Sequence, residues 1–129
     1  MNTLILRGIA LLMLLCCTLS TQSLAQNYPA KPVRVIVPFA TGSASDVIGR
    51  MIADRLTAAL GQPFLVENRA GAAMRIGSDA VAKAAPDGYT ILFAHDGAMA
   101  MNVAVFKQLS YNPEKDFAPL AMMASLPLA

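Results

Sequence analysis

Between Val33 and Val37 the chain reads Val-Arg-Val-Ile-Val, a nearly continuous β-branched run rather than an alternating one. Such a run predicts a strand covered on both faces, as in parallel sheets. Pro38 stops it, and small residues around Gly42 predict a loop over 39–45. The period then changes. Over 46–60, Val47, Ile48, Met51, Ile52, Leu56, Ala59 and Leu60 share one stripe of a 3.6-residue wheel, which predicts a helix with that stripe inward. Arg50, Asp54 and Arg55 fall mainly off it. Ser43 or Ser45 can cap this helix, Asp46 suits the first turn, and Gly61 is a stop signal. Phe64, Leu65 and Val66 predict a second short strand, ended by the polar stretch 67–71. A second helix is expected over 77–85, with Gly77 or Ser78 near its cap and Val81 inward. Pro86-Asp87-Gly88 is a turn, because Pro presets φ and Gly accepts φ > 0. Residues 89–94, Tyr-Thr-Ile-Leu-Phe-Ala, predict a third strand, followed by a loop at His95, Asp96 and Gly97. A weaker third helix is expected over 98–109, a break at Asn112-Pro113, and a fourth strand over 120–124.

Strand and helix alternate three times, which is the pattern of an α/β fold with a doubly wound, mostly parallel sheet. Ligands of such sheets bind outside the carboxyl ends of the strands, where the winding direction reverses. The loops at those ends are 39–45, 68–76 and 94–99, and a binding site is expected among them.

Composition changes this picture at one place. Of 129 residues 56% are hydrophobic and 14% charged, against about 45–50% and about 25% in ordinary soluble domains. Disorder and low complexity are excluded. The excess is concentrated at the N-terminus. Arg7 is followed by an apolar run over 8–19, a polar exit, and Ser23-Leu24-Ala25 before Gln26. Charged start, short core and small-residue exit are the pattern of a cleavable secretory signal peptide over 1–25. The run is shorter than the roughly 20 residues that a spanning helix needs. Cys16 and Cys17, the only cysteines, fall inside the leader, so residues 26–129 would contain no disulfide, thiolate metal site or Cys nucleophile. Cleavage after Ala25 removes Arg7 and leaves nine basic against eight acidic residues. That balance predicts no nucleic-acid footprint. With one His and no remaining Cys, no metal centre and no cofactor are expected.

The first loop sets Thr41, Gly42, Ser43 and Ser45 just before a helix. Free amides, hydroxyls and a positive dipole end favour an anion there, and a carboxylate would suit it. Plain helix capping explains the same residues equally well. The Gly-Lys-Ser/Thr of a P-loop is missing. Arg69, Gly71 and Arg75 in the second loop could clamp an anion or be ordinary surface groups. His95-Asp96 suggests catalysis, but neighbours on an extended chain point apart and no nucleophile elbow accompanies them. A polar loop is the better reading. These residues favour a binding module over an enzyme.

From Tyr28 onward the chain resembles a known family. Its ordered words are Tyr28-Pro29 with Lys31-Pro32-Val33-Arg34, Val37-Pro38-Phe39 with Gly42 and Asp46, and Leu60-Gly61-Gln62-Pro63. Val66-Glu67-Asn68-Arg69 with Gly71-Ala72 and Ile76-Gly77 follow. Then come the run over 81–90 ending Pro86-Asp87-Gly88-Tyr89-Thr90, Asn102, and Tyr111-Asn112-Pro113 with Lys115-Asp116-Phe117-Ala118-Pro119. Together they resemble the extracytoplasmic solute receptors of tripartite tricarboxylate transporters, the Bug family. The resemblance implies a periplasmic, non-enzymatic receptor, built like a type II periplasmic binding protein of two lobes. Its ligand would be a small carboxylate (a di- or tricarboxylate, amino acid or aromatic acid). Its partners would be the membrane permease subunits, and it would be a monomer. The positions that it implies for the ligand's carboxylate are Phe39, Ala40, Thr41, Gly42, Ser43, Ser45 and Asp46, then His95, Asp96, Gly97 and Ala98.

Several residues depart from that pattern. Gly42-Ser43 and Ala73-Met74 stand where the family usually has glycine pairs. His95 and Asp96 replace small hydroxyl or glycine residues, and a carboxylate at Asp96 would repel a nearby anionic ligand. Val103 follows Asn102 where Pro is usual. The resemblance also implies chains more than twice this length. Residues 26–129 are therefore expected to be the N-terminal part of lobe 1, with the second lobe absent and ligand binding weak. The alternatives are a sensory ligand-binding domain of a signalling receptor and, further off, a secreted α/β enzyme.

Overall fold

The computed structural model describes residues 28–123. The expected leader, and Ala124 of the expected fourth strand, lie outside the described residues. Three strands, β1 (Val33–Val37), β2 (Phe64–Asn68) and β3 (Thr90–Leu92), form one parallel sheet in the order β2-β1-β3. Val33 pairs with Phe64 and Val37 with Asn68 on one side, and Arg34 with Thr90 and Ile36 with Leu92 on the other. Helix α1 (Ala44–Leu60) joins β1 to β2, and helix α2 (Arg75–Ala82) joins β2 to β3. The first crossover runs from β1 out to β2 and the second runs back from β2 past β1 to β3, so right-handed connections place their helices on opposite faces. This is the expected α/β, doubly wound parallel sheet, and it buries the β-branched run of β1 on both sides.

The core lies between α1 and β1. Val33, Val35 and Val37 point to one face and meet Ala53 and Phe64, with Leu56, Val66, Tyr89, Ile91 and Phe93 packed around them. Ile36 faces the other side and is fully buried. The buried stripe of α1 differs from the expected one. Asp46, Gly49 and Ala53 are its buried residues, whereas Val47, Ile48, Met51 and Leu60 are exposed. The reason is close approach. A Cβ added at Gly49 would lie 3.1 Å from Val37 Cγ2, so small residues let the helix settle onto the sheet where larger ones could not.

Element ends also shift. Ser43 is the cap of α1, its hydroxyl accepting the Asp46 N–H at 3.2 Å, and Gly61 ends the helix at φ +71°. The second helix starts two residues earlier than expected, behind a left-handed Met74 rather than a side-chain cap. Ser78 is buried inside it and donates to the Met74 carbonyl at 3.0 Å. The expected third helix over 98–109 is a π-turn, Gly97–Met101, running into a single turn of α-helix, α3 (Asn102–Val105). At Phe106 the backbone is already extended, with φ −103° and ψ 123°. Leu120, Ala121, Met122 and Met123 of the expected fourth strand form no strand and are exposed.

Candidate functional site

The winding direction reverses between β1 and β3, so the crevice at their carboxyl ends is flanked by the loop 38–43 and the segment 93–96. The Phe39 and His95 rings meet across it edge to face, with centroids 5.7 Å apart. The structure thus brings the two groups of expected site residues together.

On the first flank the chain turns at Gly42, at φ +83°. Asp46 looks like a polar first-turn residue of α1, but its side chain folds back into the loop and is only 2% exposed. Its carboxylate accepts the Gly42 N–H at 2.8 Å, the Asn68 amide at 2.9 Å and the Arg50 guanidinium at 3.0 Å. The Gly42 N–H, then Arg50 and Asn68, hold its pKa down to about 2. Asn68 also donates to the Phe39 carbonyl at 3.1 Å and accepts from Arg50 at 2.8 Å. The charge of Asp46 is thereby spent inside the loop. Among the described residues, the N–H groups of Thr41, Ala44 and Ser45 and the hydroxyls of Thr41 and Ser45 carry no hydrogen bond. Ala40 and Thr41 are exposed and Ser43 and Ser45 half-buried. Unpaired donors at the start of a long helix make this flank attractive to an anion.

The second flank differs. His95 and Asp96 have side chains more than half exposed, at 54% and 56%. The Asp96 carboxylate touches His95 Nδ1 and accepts the Gly97 N–H at 2.8 Å. The N–H groups of Ala98 and Met99 both go to the His95 carbonyl, at 3.0 and 3.2 Å. Gly97 and Ala98 are buried. This flank therefore shows the His95 and Asp96 side chains, while the amides of Gly97, Ala98 and Met99 are engaged within the turn.

The segment between β2 and α2 supports it from outside. Ala72, Ala73 and Met74 all have positive φ, at 47°, 55° and 68°. The Met74 methyl occupies the space that a Cβ on Gly97 would need. Buried Asn102 donates to the Ala73 carbonyl at 2.7 Å and to the Tyr111 hydroxyl at 3.2 Å. Tyr111, also buried, donates to the Ala98 carbonyl at 2.6 Å. Arg69 is held by Glu67 at 2.6 Å. Arg75 donates to the Ala72 carbonyl at 3.0 Å and lies 4.1 Å above the Phe106 ring. Neither is free to clamp an anion in the crevice. Among the described residues no group of three His, Cys, Asp or Glu gathers that could hold a metal ion.

Arg50, Asn68, Met74, Asn102 and Tyr111 shape the site without having stood out as site residues. One had a readable signal: Arg50 lies four residues after Asp46, the spacing of a helical ion pair. The others act between segments distant in sequence.

Comparison with known proteins fits this architecture. The family model described as "Tripartite tricarboxylate transporter family receptor" matches residues 48–129. The chain belongs to that family, which is a family of solute-binding receptors and not of enzymes. Protein BugT of Bordetella pertussis is 43% identical over 105 residues, covering 81% of this chain and 32% of that protein. The structure of MatC from Rhodopseudomonas palustris with bound malate matches with a TM-score of 0.68 and 42% identity, over 71% of this chain and 31% of that one. A second protein of that organism, solved with adipate, matches at 0.65 and 37% identity, over 67% of this chain and 29% of that one. The chain spans about a third of the length of the curated relatives that it matches.

Proposed function

We propose that this chain is the carboxylate-gripping part of a periplasmic solute receptor, and that the first loop holds one carboxylate of a small organic acid. One observation carries the reading. Asp46 is turned inward and neutralised by three donors, and the amides of Thr41, Ala44 and Ser45 and the hydroxyls of Thr41 and Ser45 are left as unpaired donors at the N-terminus of α1. Such an arrangement favours an oxyanion. The similar receptors solved with malate and adipate support this substrate class. Residues 1–25 would direct export and be removed. The receptor would pass its ligand to membrane permease subunits.

Closing two lobes on a ligand excludes water and multiplies contacts. One flank pair alone is expected to bind in the millimolar range. Amide NMR of residues 26–129 during titration with malate tests this. Shifts confined to the amides of 40–46 and 93–98 are expected. Shifts scattered over the sheet, or none at tens of millimolar, would refute it. Export is read separately. The periplasmic protein should begin at Gln26 when its N-terminus is sequenced.

A further inference from the structure

Asp-Gly occurs twice in the chain, at Asp87-Gly88 and at Asp96-Gly97. An aspartyl side chain before glycine can react with its own main chain, because no side chain shields the glycine nitrogen. The two pairs are identical in sequence and differently placed by the fold. On the second flank of the crevice the Gly97 N–H points at the Asp96 carboxylate, 2.8 Å from Oδ1. Cγ is one bond from that oxygen, and reacting groups held close gain much of their rate from position. The same N–H lies 3.4 Å from His95 Nδ1, which also touches Asp96 Oδ1. Three successive residues thus gather a nitrogen, a carboxyl carbon and a base. At Asp87 the carboxylate is turned elsewhere. Its Oδ1 accepts the Tyr89 N–H at 3.0 Å, and its Oδ2 lies 3.4 Å from Lys31 Nζ. Gly88 is held at φ +79° against the Tyr28 ring, and its carbonyl accepts the Tyr28 hydroxyl at 2.6 Å.

We propose that Asp96-Gly97 is a self-modification site, where the chain closes to a succinimide and reopens to isoaspartate, while Asp87-Gly88 is protected. The Gly97 nitrogen attacks Cγ of the protonated Asp96 carboxyl, and an N–Cγ bond forms. The amide proton passes to His95 Nδ1 and is returned to the departing hydroxyl, which leaves as one water. No electrons are exchanged. A water then opens the ring. Addition at Cγ restores aspartate. Addition at the main-chain carbonyl carbon of Asp96 breaks its bond to the Gly97 nitrogen, and the chain then runs through Cγ beside a free α-carboxylate. The mass returns to its starting value, but the main chain before the π-turn is one carbon longer. The bonds from the Ala98 and Met99 N–H groups to the His95 carbonyl, now 3.0 and 3.2 Å, lose their register. Isoaspartate therefore loosens this flank of the crevice. The reaction does not depend on what the crevice binds.

The test follows this chain during warm incubation at mildly acidic pH, where some carboxyl is protonated and imidazole still exchanges protons. After digestion, chromatography separates the aspartate and isoaspartate peptides of equal mass. Isoaspartate at position 96 is expected to accumulate about tenfold faster than at position 87. In concentrated urea the placement is lost and the two rates should become nearly equal. His95→Gln removes the base and should slow position 96 by about tenfold while leaving position 87 unchanged. Equal rates in the folded chain, or a faster reaction at position 87, overturn the proposal. So does a preference for position 96 that persists in urea, since the fold would then not be its cause. The comparison of folded and unfolded native chain needs no variant, so it stands even where His95→Gln fails to fold. A folded His95→Gln chain that reacts at the native rate overturns the proton relay.

Discussion

The loop after β1 makes its one left-handed turn at a glycine, Gly42 at φ +83°. The segment supporting the other flank has four positive-φ residues in succession, Gly71 and then Ala72, Ala73 and Met74, of which only the first is a glycine. The first loop is held from within by a carboxylate that gathers three donors. The second is held from outside by a buried Asn-Tyr pair that reaches from α3 and the chain beyond it. One flank is relaxed, with its left-handed turn at a glycine. The other stores strain of about 1 kcal/mol per left-handed L-residue, offset by contacts elsewhere.

The sharpest way to break the relaxed flank is Asp46→Asn. The amide can keep one acceptor, but it sets an NH2 against donors from Gly42, Asn68 or Arg50. This should be the largest stability loss among the changes considered, measured by denaturant unfolding at neutral pH. It also has a pH signature. The folded carboxyl titrates at about 2, below its ordinary 3.8. Its stabilisation is therefore complete above the ordinary value and is lost as pH falls from about 4 through about 2. Glu67, Asp79 and Asp87 are lowered as well, by Arg34 and Arg69, by Lys83 and Ser110, and by the Tyr89 N–H and Lys31 respectively. The difference between the native chain and Asp46→Asn isolates Asp46. That difference should shrink across the interval, and a difference constant with pH would refute the assignment.

The same contrast explains what could be read in advance. The relaxed flank obeys local rules. A β-branched run, a proline stop, a small-residue loop and a Ser cap all occur in sequence order, and β1 has the expected bounds. The crevice followed from the strand-helix alternation alone. The inward stripe of α1 was misjudged because hydrophobicity favours Val47 and Met51, whereas contact with Val37 favours the smaller Gly49. The strained flank was not legible for a different reason. Neither Ala73 nor Met74 is a residue type that favours the left-handed region, and the bond that holds the Ala73 carbonyl comes from Asn102, over twenty residues later. The π-turn is likewise fixed by its neighbours. Gly97 must accept the Met74 methyl, and Tyr111 fastens the Ala98 carbonyl. Asn68 stood in a readable motif, but its clamp on Phe39 and Asp46 appears only when β2 is placed beside β1.

The strained flank can be broken from outside by Asn102→Ala. Asn102 is 4% exposed and gives both amide hydrogens away, to Ala73 and Tyr111. Its loss should cost about 2 kcal/mol, the scale of two buried hydrogen bonds with a partner left incompletely paired. Because Tyr111 still donates to Ala98, the chain should remain folded. The 71–74 segment should become locally labile instead, with faster amide hydrogen exchange there than in the first loop. Exchange that rises equally on both flanks would mean that the two are one cooperative unit, and the comparison would fail.

The smallest effects come from exchanging the backbone chemistry of the two flanks. Gly42→Ala places a Cβ in open space but at φ +83°, so steric contact is not the issue and conformational strain is. It should destabilise by about 1 kcal/mol. Ala73→Gly is the mirror experiment. It removes one side chain from an exposed residue at φ 55° and leaves the carbonyl that Asn102 binds in place. Relief of strain should exceed the added freedom of the unfolded chain, for a net gain of about 0.5 kcal/mol. The two signs together are the measurement, and thermal unfolding of both variants beside the native chain reads them. If both substitutions destabilise, the left-handed run at Ala72, Ala73 and Met74 is not strained in the sense argued, and the flanks differ only in which contacts hold them. If the signs are opposite, Ala73→Gly should also leave the amide shifts of the first loop unchanged, because the strain is confined to the flank that carries it.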